Sequence, residues 1–332
     1  MTEILNFIEC IGNSICKNIE YFNLTKKKRK WYINDFNKWC ENGRPINESI
    51  IELHISHSNI RSLEGIENLI NLEKLYCFDN QLTSLKGIEK LIKLEELYCY
   101  GNILTSLKEM ENLINLNKLH CSNNQLTSLE GIENLVGLKR LECFDNQLTS
   151  LEGIENLVNL EVLYCHNNQL TSLKGIENLV NLKVLACSYN QLTSLKRIKN
   201  LVNLTHLYCY NNQLTSLEGI ENLVDLRHLY YYNNQLTSLE GIENLVNLRY
   251  LYCYNNQLTS LEGIENLVKL IKNNNNILNI TINFTDYVDY IELNNLFHNL
   301  VKYKNNNEID KNVKSIEKMI IELNGFQQYV LK

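Results

Sequence analysis

Proline is all but missing from this sequence: Pro45 is the single one in 332 residues. Turns elsewhere must be made by glycine and asparagine, the residues that tolerate positive φ. A surplus of positive charge is missing too. The net charge is −6, so a phosphate-binding surface, and with it a nucleic-acid partner, is not expected. There is no long apolar run. The opening residues, MTEILNFIECIGNSICKNIEYF, carry acids early and interrupt their apolar positions with Asn, Lys and Glu, which fits neither a secretory signal nor a membrane span. The chain has no P-loop, no dinucleotide-binding glycine pattern, no zinc-protease HExxH and no nucleophile elbow. No catalytic residue is assigned, and an enzyme is not expected.

What is present is apolar bulk and cysteine. Hydrophobic residues make up 44 % and charged residues 21 %, enough for a substantial core in two ordinary domains or one long array. The eleven cysteines are odd in number, lack a secretory signal and follow the spacing of a repeat, so free thiols in a reducing, cytoplasmic setting are expected. The five Asn-x-Ser/Thr sequons, at Asn23, Asn47, Asn203, Asn279 and Asn283, are then chance matches.

The repeat decides the architecture. Residues 160–181 read LEVLYCHNNQLTSLKGIENLVN, and the pattern returns every 22 residues. Units begin at Ile50, Leu72, Leu94, Leu116, Leu138, Leu160, Leu182, Leu204, Leu226 and Leu248, without insertion or deletion. An eleventh begins at Leu270 and dissolves into IKNNNN. Stretches such as Leu163-Tyr164-Cys165-His166 alternate with period two, as a short strand with one buried face does. Leu170, Leu173, Ile176 and Leu179 recur every three residues, which suits a 3-10 turn better than an α-helix. One unit cannot cover its own apolar face, but stacked units can. Parallel strands about 4.8 Å apart then form a sheet on the order of 50 Å long. It should be concave, because the strand side is the tighter one.

Two further columns follow. Asn80, Asn102, Asn124, Asn146, Asn168, Asn190, Asn212, Asn234 and Asn256 sit where each chain leaves its strand. An inward amide donates and accepts at once, so a ladder of them can satisfy the buried backbone of the turn. Ser58 takes this place in the first unit. A glycine column (Gly65, Gly87, Gly131) implies a turn that favours positive φ, although Glu109 and Arg197 replace it in two units.

The signature L-x-x-L-x-C-x-x-N-Q-L, its fixed length of 22 and the segment I-E-N-L-V-N-L resemble the leucine-rich-repeat family, in its internalin-like and phosphatase-regulator-like subclass. The resemblance spans residues 50–269. It implies a right-handed α/β solenoid with a concave parallel sheet, convex 3-10 or short-helix turns, and a protein partner. The near-identity of the units and the Asn-, Ile-, Lys- and Tyr-rich composition also resemble leucine-rich-repeat proteins of amoeba-infecting giant viruses, for which host cytoplasm would be the setting.

Three domains are expected: residues 1–49 as an N-terminal helical cap, 50–271 as the solenoid, and 272–332 as a C-terminal cap. Ile4, Ile8, Ile11, Ile15, Ile19 and Phe22 recur at helical spacing. The basic run Lys26–Lys30 is read as a solvated loop, with nuclear import or a phosphate contact as the alternative, and Trp31, Tyr32, Phe36 and Trp39 follow. An adaptor segment that recruits a ubiquitin ligase or a phosphatase is the alternative to simple capping. At the other end Ile280, Ile282 and Phe284 alternate like a strand, and helices are expected at about 286–304 and 308–323, with Gly325 as a stop. A monomer is expected.

The units vary mainly at exposed strand positions. One such row reads His54, Tyr76, Tyr98, His120, Glu142, Tyr164, Ala186, Tyr208, Tyr230, Tyr252; the next reads Ser56, Phe78, Tyr100, Ser122, Phe144, His166, Ser188, Tyr210, Tyr232, Tyr254. Tyrosine offers area, few rotatable bonds and a polar tip. Tyr164, His166, His206, Tyr208, Tyr210, His228, Tyr230, Tyr232, Tyr250, Tyr252 and Tyr254 are therefore candidate partner-binding residues. Ladder packing between neighbouring strands is the competing explanation. The cysteine column reads as core, and a line of thiols is the wrong shape for a tetrahedral metal. His206 and His228 are neighbours but lack further ligands, so no metal or cofactor is assigned.

Overall fold

The computed structural model describes residues 29–258, together with the strand backbones at 279–284, 318–323 and 326–331. The 22-residue period becomes one strand per unit. After β1 (Lys30–Tyr32) come β2 (Glu52–His54), β3 (Lys74–Tyr76), β4 (Glu96–Tyr98), β5 (Lys118–His120), β6 (Arg140–Glu142), β7 (Val162–Tyr164), β8 (Val184–Ala186), β9 (His206–Tyr208), β10 (His228–Tyr230) and β11 (Tyr250–Cys253). Each pairs in parallel with the one before, so that Lys74 faces Glu96 and Leu75 faces Leu97. β12 (Asn279–Phe284) and β13 (Lys318–Leu323) continue the parallel sheet, and β14 (Phe326–Leu331) closes it antiparallel.

The core lies behind the sheet. The middle residue of each strand from β1 to β10 and Leu251 of β11 are buried, as are the cysteine column and the leucines and isoleucines spaced by three. Burying a leucine stabilises by about 1.5–3 kcal/mol, and each unit finds that burial only against its neighbours. The spacing of three yields single 3-10 turns at Ile66–Asn68, Ile88–Lys90, Lys108–Met110 and Lys196–Ile198.

Asn168 shows how the turns are held. Its amide nitrogen donates to Cys143 O of the previous unit at 3.1 Å and to Cys165 O of its own at 3.2 Å. Its Oδ1 accepts the N–H of Leu148 at 3.0 Å. The same cross-unit bonds are made by Asn80, Asn102, Asn124 and Asn146 and by Asn190, Asn212, Asn234 and Asn256. Ser58 cannot reach so far; its hydroxyl bonds Ser56 O, and its own N–H donates to Asn80.

The residue before this asparagine is left-handed in every unit, from His57, Asp79 and Gly101 through Asn123 and Asp145 to Asn255. That requirement accounts for the Asn, Asp and Gly found there. Tyr189 is the exception in chemistry, with φ of 51°. The glycine column is left-handed as well. Where Glu109 and Arg197 replace it, that residue lies inside the 3-10 turn, whereas Gly65 and Gly87 stand before theirs. The altered turn presses on the next unit: a Cβ on Gly131 would meet Leu107 O at 2.4 Å, and one on Gly219 would meet Leu195 O at 2.4 Å.

The ends differ in part from the sequence expectation. The helix read from Ile4 to Phe22 lies outside the described residues. A helix, α1 (Ile33–Glu41), does follow β1, and Asp35 at its third position accepts the N–H of Tyr32. Trp31 and Trp39 are fully buried and pack at 6.2 Å, covering the first unit. Lys30, read as part of a solvated loop, instead lies in β1 and pairs with Glu52 at 2.8 Å. At the C-terminus the helix expected at 286–304 lies outside the described residues. The one expected at 308–323 is corrected over 318–323, which form β13. Gly325, expected as a helix stop, forms with Asn324 the strongest short hairpin dipeptide, and the segments on either side, KMIIEL and FQQYVL, are rich in strand formers. Where the C-terminal segment is described it is therefore strand, so a helical cap at both ends is not what is seen.

Candidate functional site

Because side chains alternate along a strand, three rows project from the open face of the sheet. The first, at the start of each strand, holds the candidates His206, His228 and Tyr250, but its charged members are not evident from the sequence. It runs Lys30, Glu52, Lys74, Glu96, Lys118, Arg140, Val162, Val184, His206, His228 and Tyr250. Its first half alternates in charge. Glu96 pairs with Lys74 at 3.1 Å and with Lys118 at 3.4 Å. Burial pushes the Glu96 carboxyl up, but the two lysines together outweigh it and hold it below the usual carboxylate range. Arg140 binds Glu142, which also faces His120 at 3.6 Å.

The second half of the array is different. His206, His228 and Tyr250 stack at 4.2 and 4.5 Å between centroids. Tyr208, Tyr230 and Tyr252 follow at 4.9 and 4.8 Å, and Tyr210, Tyr232 and Tyr254 at 4.4 and 4.7 Å. Nine rings thus tile three adjacent strands. The rings of the first and third rows are stacked, and those of the middle row are tilted by 41° and 31°. Burial raises the phenols of Tyr208, Tyr230, Tyr232 and Tyr252. Burial lowers the imidazoles of His206 and His228; Arg227 lowers His206 further, and His206, Arg249 and Arg227 lower His228 further.

Tyr164 and His166, the other two candidates, are not joined to the tile. The next strand carries Ala186 and Ser188 in their rows, and no ring contact crosses it among the described residues. His166 stacks instead on Phe144 at 4.4 Å, and Arg140 covers one side of Tyr164 at 4.9 Å. Tyr189, absent from the sequence-based candidates, is half exposed and meets Tyr210 edge-on at 5.4 Å. Its signal in the sequence is a large ring in a column otherwise given to Asn, Asp, Gly and His. Tyr231 leaves the surface altogether: it fills a cysteine position in the core and its hydroxyl donates to Ser216 O.

The nine cysteines of the described residues are free thiols. Eight form the core column, where burial pushes Cys77 up to about 12 and the others up as well. Neutral thiols in a line are core packing. Among the described residues no three His, Cys, Asp or Glu side chains gather to hold a metal, and no helix is long and apolar enough to cross a membrane.

Comparison with known proteins follows the same lines. The family description "Leucine Rich repeats (2 copies)" matches residues 70–115, 92–134, 114–156, 136–179, 180–222 and 224–266, more than half of the chain. No curated protein sequence matches. Among solved structures, an internalin C2 from Listeria monocytogenes is 30% identical with a TM-score of 0.53, over 55% of this chain and 80% of that one. A leucine-rich-repeat protein of Leptospira interrogans is 28% identical with a TM-score of 0.64, over 77% and 71%. The functional domain of InlJ from Listeria monocytogenes, described as including a cysteine ladder, is 30% identical with a TM-score of 0.59; the match takes in 69% of this chain but only 47% of InlJ's. The repeat, its asparagine ladder and these matches agree: the chain belongs to the leucine-rich-repeat family, with an internalin-like solenoid.

Proposed function

We propose that the chain is an intracellular, non-enzymatic scaffold that holds a protein partner on the tyrosine-rich face of its sheet. Leucine-rich repeats are in general protein-interaction modules, and the observation that carries the reading here is the nine-ring tile on β9, β10 and β11. The leucine, cysteine and asparagine columns are consumed by the fold; the tile is not. Ladder contacts alone do not call for aromatic residues in three rows at once, since valines serve at Val162 and Val184 in the same sheet. Phenol rings suit the amides and side chains of a protein, and a net charge of −6 disfavours a nucleic-acid backbone.

The test is to change Tyr208, Tyr230 and Tyr252 together to Ser and to compare affinity capture from the native cell. The expected result is loss of the captured partner, with circular dichroism still that of the folded solenoid. An unchanged set of captured proteins would overturn the proposal.

A further inference from the structure

We propose that a second copy of this chain covers an aliphatic stripe running along the array, with the two copies antiparallel about a twofold axis at Val158. This departs from the monomer expected of the sequence. Nine of the thirteen large apolar side chains exposed among the described residues stand in one column, one per unit. They are Ile70, Ile92 and Ile114, then one valine in each unit from Val136 to Val246, always four residues before the strand. The core does not use them: the leucines on either side of each, such as Leu157 and Leu160 beside Val158, are the buried ones. The fold does hold them in line. The asparagine after a stripe residue donates to the stripe carbonyl one unit back, as Asn159 does to Val136 O and Asn181 to Val158 O, both at 2.9 Å.

A contiguous apolar surface of this extent marks an interaction site. Exposed by 39 to 58 %, the nine residues present on the order of 700 Å², and with the polar columns beside them they reach the roughly 800 Å² per partner of a stable interface. A repeat also meets its own reversed copy at its own spacing, so every stripe residue finds a counterpart in an isologous pair.

The charges alongside select the partner and the register. Lys139, Glu161, Lys183 and Thr205, the residues just before their strands, line one groove with Asn159, Asn181 and Asn203, the residues just after the stripe. The column before the strands begins with Glu73 and Glu95 and ends with Arg227 and Arg249. The column after the stripe carries two charges only, Lys93 beside the second stripe residue and Asp225 beside the second from the end. A twofold axis at Val158, the midpoint of the stripe, reverses this order. Glu73 then meets Arg249, Glu95 meets Arg227, and Lys93 meets Asp225, each pair occurring twice. None of these six side chains forms an ion pair among the described residues. Near the axis Lys139 faces Lys183, but Glu161 of each copy lies between them and already binds Lys183 at 2.6 Å. Sliding one copy by one unit parts Lys93 from Asp225 and shortens the apolar overlap, so the charges fix the register that the uniform stripe leaves open.

The full chain is sedimented to equilibrium at physiological salt, where a mass near twice 38.9 kDa is expected. Val158→Asp sets two carboxylates face to face on the axis and should weaken association at least about tenfold. Arg227→Glu with Arg249→Glu, and separately Glu73→Arg with Glu95→Arg, should each give monomers, because like charges then oppose at both ends. The two variants mixed should recover a one-to-one dimer, since every opposed pair is again of opposite sign. The triple tyrosine variant should stay dimeric, because the tile is a different face; capture of the cellular partner and self-association are thus read separately. A monomeric chain, a dimer indifferent to Val158→Asp, charge variants that do not recover on mixing, or dimers lost with the tile would each overturn the proposal. Binding of a monomer to phosphatidylcholine vesicles that Val158→Asp abolishes would do the same, by making a lipid surface the occupant.

Discussion

Single residues in this array are constrained by the unit before them as much as by their own. Gly131 and Gly241 occupy the same column with φ of +107° and +97°. A methyl group at either pays the left-handed penalty of about 1–2 kcal/mol. At Gly241 the nearest atom to that methyl is a side-chain carbon at 3.6 Å, whereas at Gly131 it is the Leu107 carbonyl oxygen at 2.4 Å. Backbone cannot step aside cheaply, so Gly131→Ala should cost at least about 1 kcal/mol more than Gly241→Ala. Thermal midpoints of the two variants decide this; equal shifts would refute the account. The glycine column itself was legible in the sequence. The special weight of Gly131 was not, because it comes from Glu109, one unit earlier, forcing a different turn.

At the scale of the strand, the row that begins each element divides the sheet into a bridged half and an imidazole-phenol half. His206 and His228 are neighbours whose imidazoles are held down first by burial, His206 then by Arg227 and His228 then by His206, Arg249 and Arg227. An unfolded imidazole titrates near 6.5. A lowered folded value means that the unfolded chain takes up protons first on acidification. The stability these groups contribute is complete above pH 6.5 and is lost as pH falls through their folded values. His120 and His166, also lowered by burial, act in the same sense. The thermal midpoint should fall between pH 7 and pH 5, and His206→Gln with His228→Gln should flatten that fall. Identical slopes in variant and wild type would contradict the assignment. Strand, turn and core positions were readable here because the period of 22 repeats each side-chain environment. The charge row escaped notice because its partners, such as Lys74 and Glu96, meet only across strands. The hairpin of β13 and β14 is harder to read because it lies outside the repeat, where one Asn-Gly and the strand formers beside it are the cues.

For the whole molecule, stability is a chain of nearest-neighbour contacts, so its ends matter most. β1 and α1 place Trp31 and Trp39 over the first unit, with Phe36 5.5 Å from Trp39 and the Trp39 indole donating to Pro45 O at 2.8 Å. Removing that cover bares Ile50 and Leu53, both fully buried. Trp39→Ala should therefore cost about 3–5 kcal/mol locally. The loss should be graded along the array, because each unit feels only its neighbours. Amide exchange should accelerate most in β2 and β3 and little in β7 to β9, with partner capture by the distant tile retained. Acceleration of equal size in every strand would mean that the solenoid melts as one body. In that case residues 29–49 would stabilise the whole array rather than protect its edge.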